Sequence, residues 1–200
     1  MNLAQFDNSW YKPGRPRWVQ ALWFFIGLPL LRCPVIPSLA FRRALLRAFG
    51  AAIGAGVVLK PGVRVKYPWR LKVGDHSWIG EDAWLDNLGD IEIGSDVCIS
   101  QGAYLCTGNH DWGDPSFGLR VSNLRIDNHV WIGAKAILCP GSRMGVGSIA
   151  TAGSVVSAVV GDYEIYAGNP ASLRAMRRIR EAIPKARIGV DPGAAAPLET

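Results

Sequence analysis

Charge is scarce in this chain and unevenly spread. Only 19% of the 200 residues are Asp, Glu, Lys or Arg, against 49% apolar residues. That balance excludes a self-repelling disordered chain and leaves enough apolar mass for one domain with a sizeable core. Cysteine is sparse as well. Cys33, Cys98, Cys106 and Cys139 form no CxxC pair and no short-range framework, which excludes a disulfide scaffold and makes a reducing, cytosolic setting the expectation. Histidine occurs three times, at His76, His110 and His129. No uninterrupted apolar run reaches the roughly 20 residues that a bilayer core demands. The run at residues 18–31 is 14 long and broken by Gly27 and Pro29. No small-residue cleavage site follows it promptly, so a signal peptide is not expected.

Acidic residues are almost missing from the N-terminal arm. Residues 1–47 hold seven basic residues and one acidic, residues 48–161 nine and ten, and residues 162–200 six and five. The surplus behind the formal charge of +6 therefore lies in the arm. A field of one sign over the whole domain would point to nucleic acid, and this distribution does not, so no nucleic-acid partner is expected. A basic arm beside an apolar run points instead to anionic lipid or an acidic partner. Residues 18–47 are thus a candidate peripheral membrane contact at the inner membrane face, with Arg32, Arg42, Arg43 and Arg47 near the headgroups. The other reading is a helix packed on the rest of the domain. Residues 39–49 place Leu39, Leu45, Leu46 and Phe49 at helical spacing before Gly50, which predicts an amphipathic helix. Residues 1–17, polar and carrying Pro13 and Pro16, are expected to be poorly ordered alone.

From residue 50 the helical pattern gives way to a period of six. Aliphatic residues recur at Ile53, Leu59, Val65 and Leu71, at Val73, Ile79, Leu85 and Ile91, and at Ile93, Ile99 and Leu105. In the last of these series each is followed four residues later by a small or compact residue. After an interruption the spacing resumes at Ile126 and runs through Ile132, Leu138, Met144, Ala150 and Val156. A helix would repeat every three or four residues and a half-buried strand every two. A sustained period of six predicts a solenoid of triangular cross-section and about five coils, with the aliphatic residue pointing inward and a small residue at each corner. His110 stands where the period stops, directly before the loop at residues 111–123. His76 and His129 occupy a different hexad position, for which surface or packing roles are the expectation.

The segments ISQGAYLCTGNHD, VWIGAKAILCPGSRMGVGSIATAGSVV and YAGNPA resemble the hexapeptide-repeat acyltransferases, over residues 50 to about 180. Within that superfamily the chain is similar to the colanic acid biosynthesis acetyltransferases, which are related to the maltose and galactoside O-acetyltransferases. The resemblance implies a mainly β fold, a left-handed parallel β-helix, which winds against the usual crossover rule. With it go N-terminal helices in an arm over residues 1–49, a β-helix domain over 50–161, and a cap helix from about residue 171 to 182 followed by a flexible tail within 162–200. It also implies a homotrimer with the active site between chains, and acetyl transfer from acetyl-CoA to a sugar or lipid-linked saccharide in exopolysaccharide biosynthesis.

Such a transfer needs a base for the hydroxyl proton, and histidine suits the task because its ordinary pKa lies near 6.5. His110 is the candidate. Asp86 and Asn87, in the corner stretch DNLGD one coil earlier, are acceptor candidates, with corner turns as the other reading. Asp111 and Trp112 in the loop complete the acceptor set. An orienting role for Asp111 is weak, because neighbouring side chains of an extended segment point to opposite faces. By resemblance, coenzyme A would lie along Gly133 and Ala134, Ala152 and Gly153, and Ser157 and Ala158, with Arg174 and Arg177 near its phosphates. The chain departs from many relatives at Ser157 and Ala158, where they carry threonine and lysine. No metal is expected. Two other functions compete: a non-catalytic β-helix assembly protein, and a zinc hydratase using the three histidines across a trimer.

Overall fold

The structure is a computed structural model that describes residues 1–36 and 38–179. Strands of two or three residues stack in parallel on three faces of a prism. Face one runs from Ala52–Ile53 to Val159–Val160, face two from Val58–Leu59 to Glu164–Gly168, and face three from Arg64–Val65 to Val155–Val156. Five coils are complete, and face one and face two each gain a strand of a sixth. The register partners on face one, Ile53 with Val73 and Val73 with Ile93, follow the spacing of the aliphatic series. Ile93 then pairs with Ile126, so everything between them that exceeds one coil is extruded from the prism.

The period of six is an inside position. Leu59, Val65, Ile79, Leu85, Ile99, Leu105, Ile132 and Leu138 are all buried, and so are the compact residues two places before them, such as Val57, Ala83, Val97, Ala103 and Ala136. Coils must come within strand-pairing distance of one another at the corners. At Gly133 a Cβ would lie 2.5 Å from the amide nitrogen of Ala152 in the next coil, so glycine is the residue that fits. Outward residues differ between faces. Face one is charged, with Lys72 bound to Glu92 at 2.7 Å and Asp127 held by Arg125 and Arg143. Face two carries the ladder Trp78, Cys98, Trp131 and Ile149, and face three stacks Trp84 on Tyr104 with ring centroids 4.8 Å apart.

Helix closes the open first coil. Arg17–Leu22, Trp23–Gly27 and Leu28–Arg32 run on without a break, the middle segment widening to a π turn, and Leu39–Ala48 follows. Trp23, Leu31 and Leu46 are fully buried in the core, and the Trp23 indole donates to the Val65 carbonyl at 3.0 Å. Of the four arginines expected near lipid headgroups, three are spent on backbone. Arg42 is buried and donates to the carbonyls of Leu31 and Cys33, at a helix end that leaves them without partners, and to Ile36 in the link that follows. Arg43 donates to Val57, and Arg47 to Ile53 and Gly54. Among the described residues no helix is long and apolar enough to cross a membrane.

Both chain ends differ from expectation. The first 16 residues lie along the prism: Trp69 donates to the Pro13 carbonyl at 2.7 Å, Arg70 to Lys12 at 2.8 Å, and the Tyr11 hydroxyl to Leu88 at 2.7 Å. In place of the start of the expected cap helix, Ala171–Met176 is a strand, antiparallel to Glu164–Gly168 and continuing face two. The reason is the sheet edge. A solenoid ending at Glu164–Gly168 would leave a row of peptide groups unpaired, and the returning chain pairs them. Residues 180–182 of the expected helix lie outside the described residues.

Candidate active site

The extruded segment is a β-hairpin. Gly108–His110 pairs antiparallel with Leu119–Val121, so residues 119–121 of the expected loop are strand. This puts His110 on an arm outside the prism, at the corner between faces three and one. Its imidazole stacks on Phe117 with centroids 4.3 Å apart and planes 5° from parallel, and Phe6 of the N-terminal segment tilts over it at 5.7 Å. The His110 Nδ1 lies 2.9 Å from the Phe117 carbonyl oxygen. A carbonyl can only accept, so Nδ1 is the donor, and in the neutral ring Nε2 is the nitrogen with the lone pair. Phe117 has φ of 54°, a left-handed conformation that a bulky residue seldom adopts, and this aims its carbonyl at the ring.

His110 lines a cleft of about 900 Å³ whose walls are Tyr67, Leu88 and Leu119 from the prism and hairpin and Phe6, Tyr11 and Lys12 from the arm. Burial pushes the Tyr11 phenol well above its usual range, and the Tyr67 phenol also rises for the same reason. Both remain protonated near neutral pH and neither competes with the imidazole as a base.

The other expected residues divide. Asn87 is fully buried, accepting from the Tyr67 amide at 2.9 Å and donating to its carbonyl at 2.7 Å, so it stitches two coils together beneath the surface. Asp86 is nearly buried, 3.0 Å from the Lys66 ammonium and 3.0 Å from the Tyr104 hydroxyl that donates to it. It reaches the cleft only through Lys66. Asp111 pairs with Arg120 and accepts from the Gly113 amide at 3.0 Å. It braces the hairpin, and the carbonyl of Phe117 holds the imidazole in its place. Trp112 is exposed near the hairpin tip.

The expected donor residues stand on two different edges. Gly133, Ala134, Ala152 and Gly153 form the corner between faces two and three, where the Gly153 amide donates to Ala134 at 2.9 Å. Gly153 has φ of 70° and open space where a side chain would be. Ser157 and Ala158 lie on the other edge, the one that carries His110. Arg174 is exposed on the terminal strand, close to the turn at Gly168. Arg177 is otherwise engaged, its Nη1 donating to the carbonyls of His129 and Gly147, both at 2.9 Å. It clamps the terminal strand to the prism through that nitrogen. His76 and His129 lie at the third edge, between faces one and two, apart from His110. Sequence reasoning missed Phe117, Phe6, Tyr11, Lys12 and Lys66; the surplus of basic residues in the arm was the one available signal.

No family model matches the chain. A protein of Escherichia coli strain K12 named for colanic acid biosynthesis, the acetyltransferase WcaF, is 40% identical over 131 residues, covering 66% of this chain and 72% of that protein. A Vibrio cholerae hexapeptide-repeat acetyltransferase solved with acetyl coenzyme A superposes with a TM-score of 0.71 at 23% identity, covering 83% and 92% of the two chains. A galactoside acetyltransferase solved with coenzyme A superposes with a TM-score of 0.73 at 19% identity, covering 89% and 92%.

Proposed function

Since the chain belongs to the hexapeptide-repeat acyltransferases, we propose that it moves an acetyl group from acetyl-CoA to a saccharide hydroxyl, with His110 Nε2 as general base. The observation that carries this is the pinned tautomer. With Nδ1–H fixed on the Phe117 carbonyl, the lone pair of Nε2 is ready to take the proton of a hydroxyl as its oxygen attacks the thioester carbon. The leaving thiolate then recovers a proton from the imidazolium. The arrangement has the same division of labour as other acyl transferases in which a fixed acceptor orients the histidine. The name of the Escherichia coli relative supports exopolysaccharide as the setting, and the same membership supports left-handed winding. Purified protein, acetyl-CoA and a panel of hydroxylated acceptors test it: thiol release that depends on the acceptor is the expected result, and release with none of them counts against the reading.

The split of the donor residues supports a homotrimer. In one chain the Gly133 and Gly153 corner and the His110 edge are separate corners of the prism, so a single copy offers coenzyme A half a groove. Packing prisms side by side brings one edge of each against the other edge of its neighbour, and the apolar outward ladders of faces two and three are the surfaces such packing would cover. Light scattering at micromolar concentration should report three copies, and Trp131→Glu should shift the protein to monomer with loss of turnover. A wild-type monomer with full activity would remove both the assembly and the shared site.

The long N-terminal helix supports a peripheral membrane contact on its outer side. Trp18, Leu22, Phe25 and Ile26 form an exposed stripe at helical spacing, with Arg17 at one end and Arg32 at the other.

A further inference from the structure

The cleft at His110 is positively charged, and the charge comes mainly from the N-terminal arm. Lys12, Arg15, Arg17 and Lys66 line it, and no aspartate or glutamate does. Lys66 is shared with Asp86 at 3.0 Å, and Arg15 turns its guanidinium towards Gly50. Lys12 and Arg17 enter no ion pair among the described residues. Such cations, gathered round a cavity that Tyr67 and Phe6 also line, match a sugar carrying an anionic group. Lys12 donates to the Ser9 carbonyl at 3.2 Å, and a neutral glycoside would offer Lys12 and Arg17 no counter-charge. A single carboxylate would satisfy one of the unpaired cations, whereas a phosphate or diphosphate, with more charge and more acceptor oxygens, can reach several at once.

We infer that the acceptor is a phosphorylated saccharide, its phosphate or diphosphate held by Lys12, Arg17 and Lys66 while a sugar hydroxyl faces His110. The inference rests on the acetyl-transfer reading above and narrows its substrate. It assigns the arm a task in the site: residues 6–20 wall the cleft, and Asp86 is a positioning residue that fixes the Lys66 ammonium. The diphosphate could belong to a soluble nucleotide sugar or to a lipid-linked saccharide. The outer stripe of the same helix favours the second source, but the chemistry recognised is common to both.

Two measurements test it on the full chain. In the first, inorganic pyrophosphate is titrated calorimetrically into protein saturated with coenzyme A, so that the donor groove is filled. Binding is expected, and it should weaken at least tenfold in Lys12→Gln and in Arg17→Gln, with unchanged circular dichroism. No binding, or binding indifferent to both substitutions, overturns the inference even if acetyl transfer is intact. In the second, initial rates are compared for a neutral methyl glycoside, a nucleotide-diphosphate sugar and a short-chain polyprenyl-diphosphate saccharide. A kcat/KM at least tenfold higher for either diphosphate supports the inference and identifies the source. Equal or better use of the neutral glycoside overturns it while leaving the acyltransferase reading standing. Transfer to none of the three, with pyrophosphate bound as expected, tells against the transfer reading and not against the anion site.

Discussion

His110→Ala is expected to lower acetyl transfer by about a hundred- to ten-thousandfold while coenzyme A binds nearly as before, since general-base catalysis contributes on that scale. In energy this is about 3–5 kcal/mol of transition-state stabilisation. The split follows from where the residue sits. His110 lies on a hairpin outside the prism, with its ring against those of Phe117 and Phe6. Removing the ring therefore leaves the coils and the glycine corners, proposed to hold the donor, as they were. Phe117→Gly is an instructive companion. It keeps the carbonyl that fixes the tautomer and relieves the unfavourable φ, but removes the stacking surface, so a smaller loss of turnover is expected than for His110→Ala. Turnover is read on an identified acceptor and coenzyme A affinity by titration. Wild-type turnover in His110→Ala would end the base assignment, and an equal loss of coenzyme A binding would make the residue structural.

The prism was legible because its determinant is one-dimensional: an inward side chain every sixth residue, with glycine where neighbouring coils touch. Ile53, Leu59 and Val65 announce a coil without reference to anything distant. His110 stood out for the complementary reason, as a titratable side chain placed where the period fails. What escaped notice was whatever depends on contacts across sequence distance or on backbone atoms. The group that orients His110 is a carbonyl, which any residue at position 117 could supply, so no residue type marks it. Tyr11 reaches Leu88, and Arg70 reaches Lys12, across stretches in which no periodicity links the partners. Asn87 was ambiguous because an amide that stitches two coils and an amide that binds a sugar look alike in sequence. Only burial and the two bonds to Tyr67 tell them apart. The C-terminal strand was not legible because nothing local in residues 171–176 marks the open sheet edge they pair with.

The N-terminal helix should split cleanly into a side that holds the fold and a side that does not. Trp23→Ala is expected to cost about 3–5 kcal/mol, the range for emptying a buried tryptophan site. The indole is fully buried, packs on Phe49 at 5.0 Å between centroids, and satisfies the Val65 carbonyl of the first coil. A cavity there would also release Gly27, whose missing side chain makes room for that ring: a Cβ would come within 2.3 Å of it. Phe25 is the opposite case, 82% exposed two residues further along the same helix, and Trp18 is 69% exposed. Trp18→Ser with Phe25→Ser should therefore leave the urea midpoint within the scatter of ordinary surface changes, about 0.5 kcal/mol. If the stripe meets a membrane, the same pair should abolish co-sedimentation with vesicles containing anionic lipid, and high salt should release part of the wild-type protein. Deleting residues 1–35 would not distinguish these roles, because it would uncap the first coil and strip the wall from the His110 cleft. Equal sedimentation of the double variant and wild type, or no sedimentation of either, would leave the helix as a cap and end the membrane reading. A stable Trp23→Ala protein would contradict the packing described for the first coil.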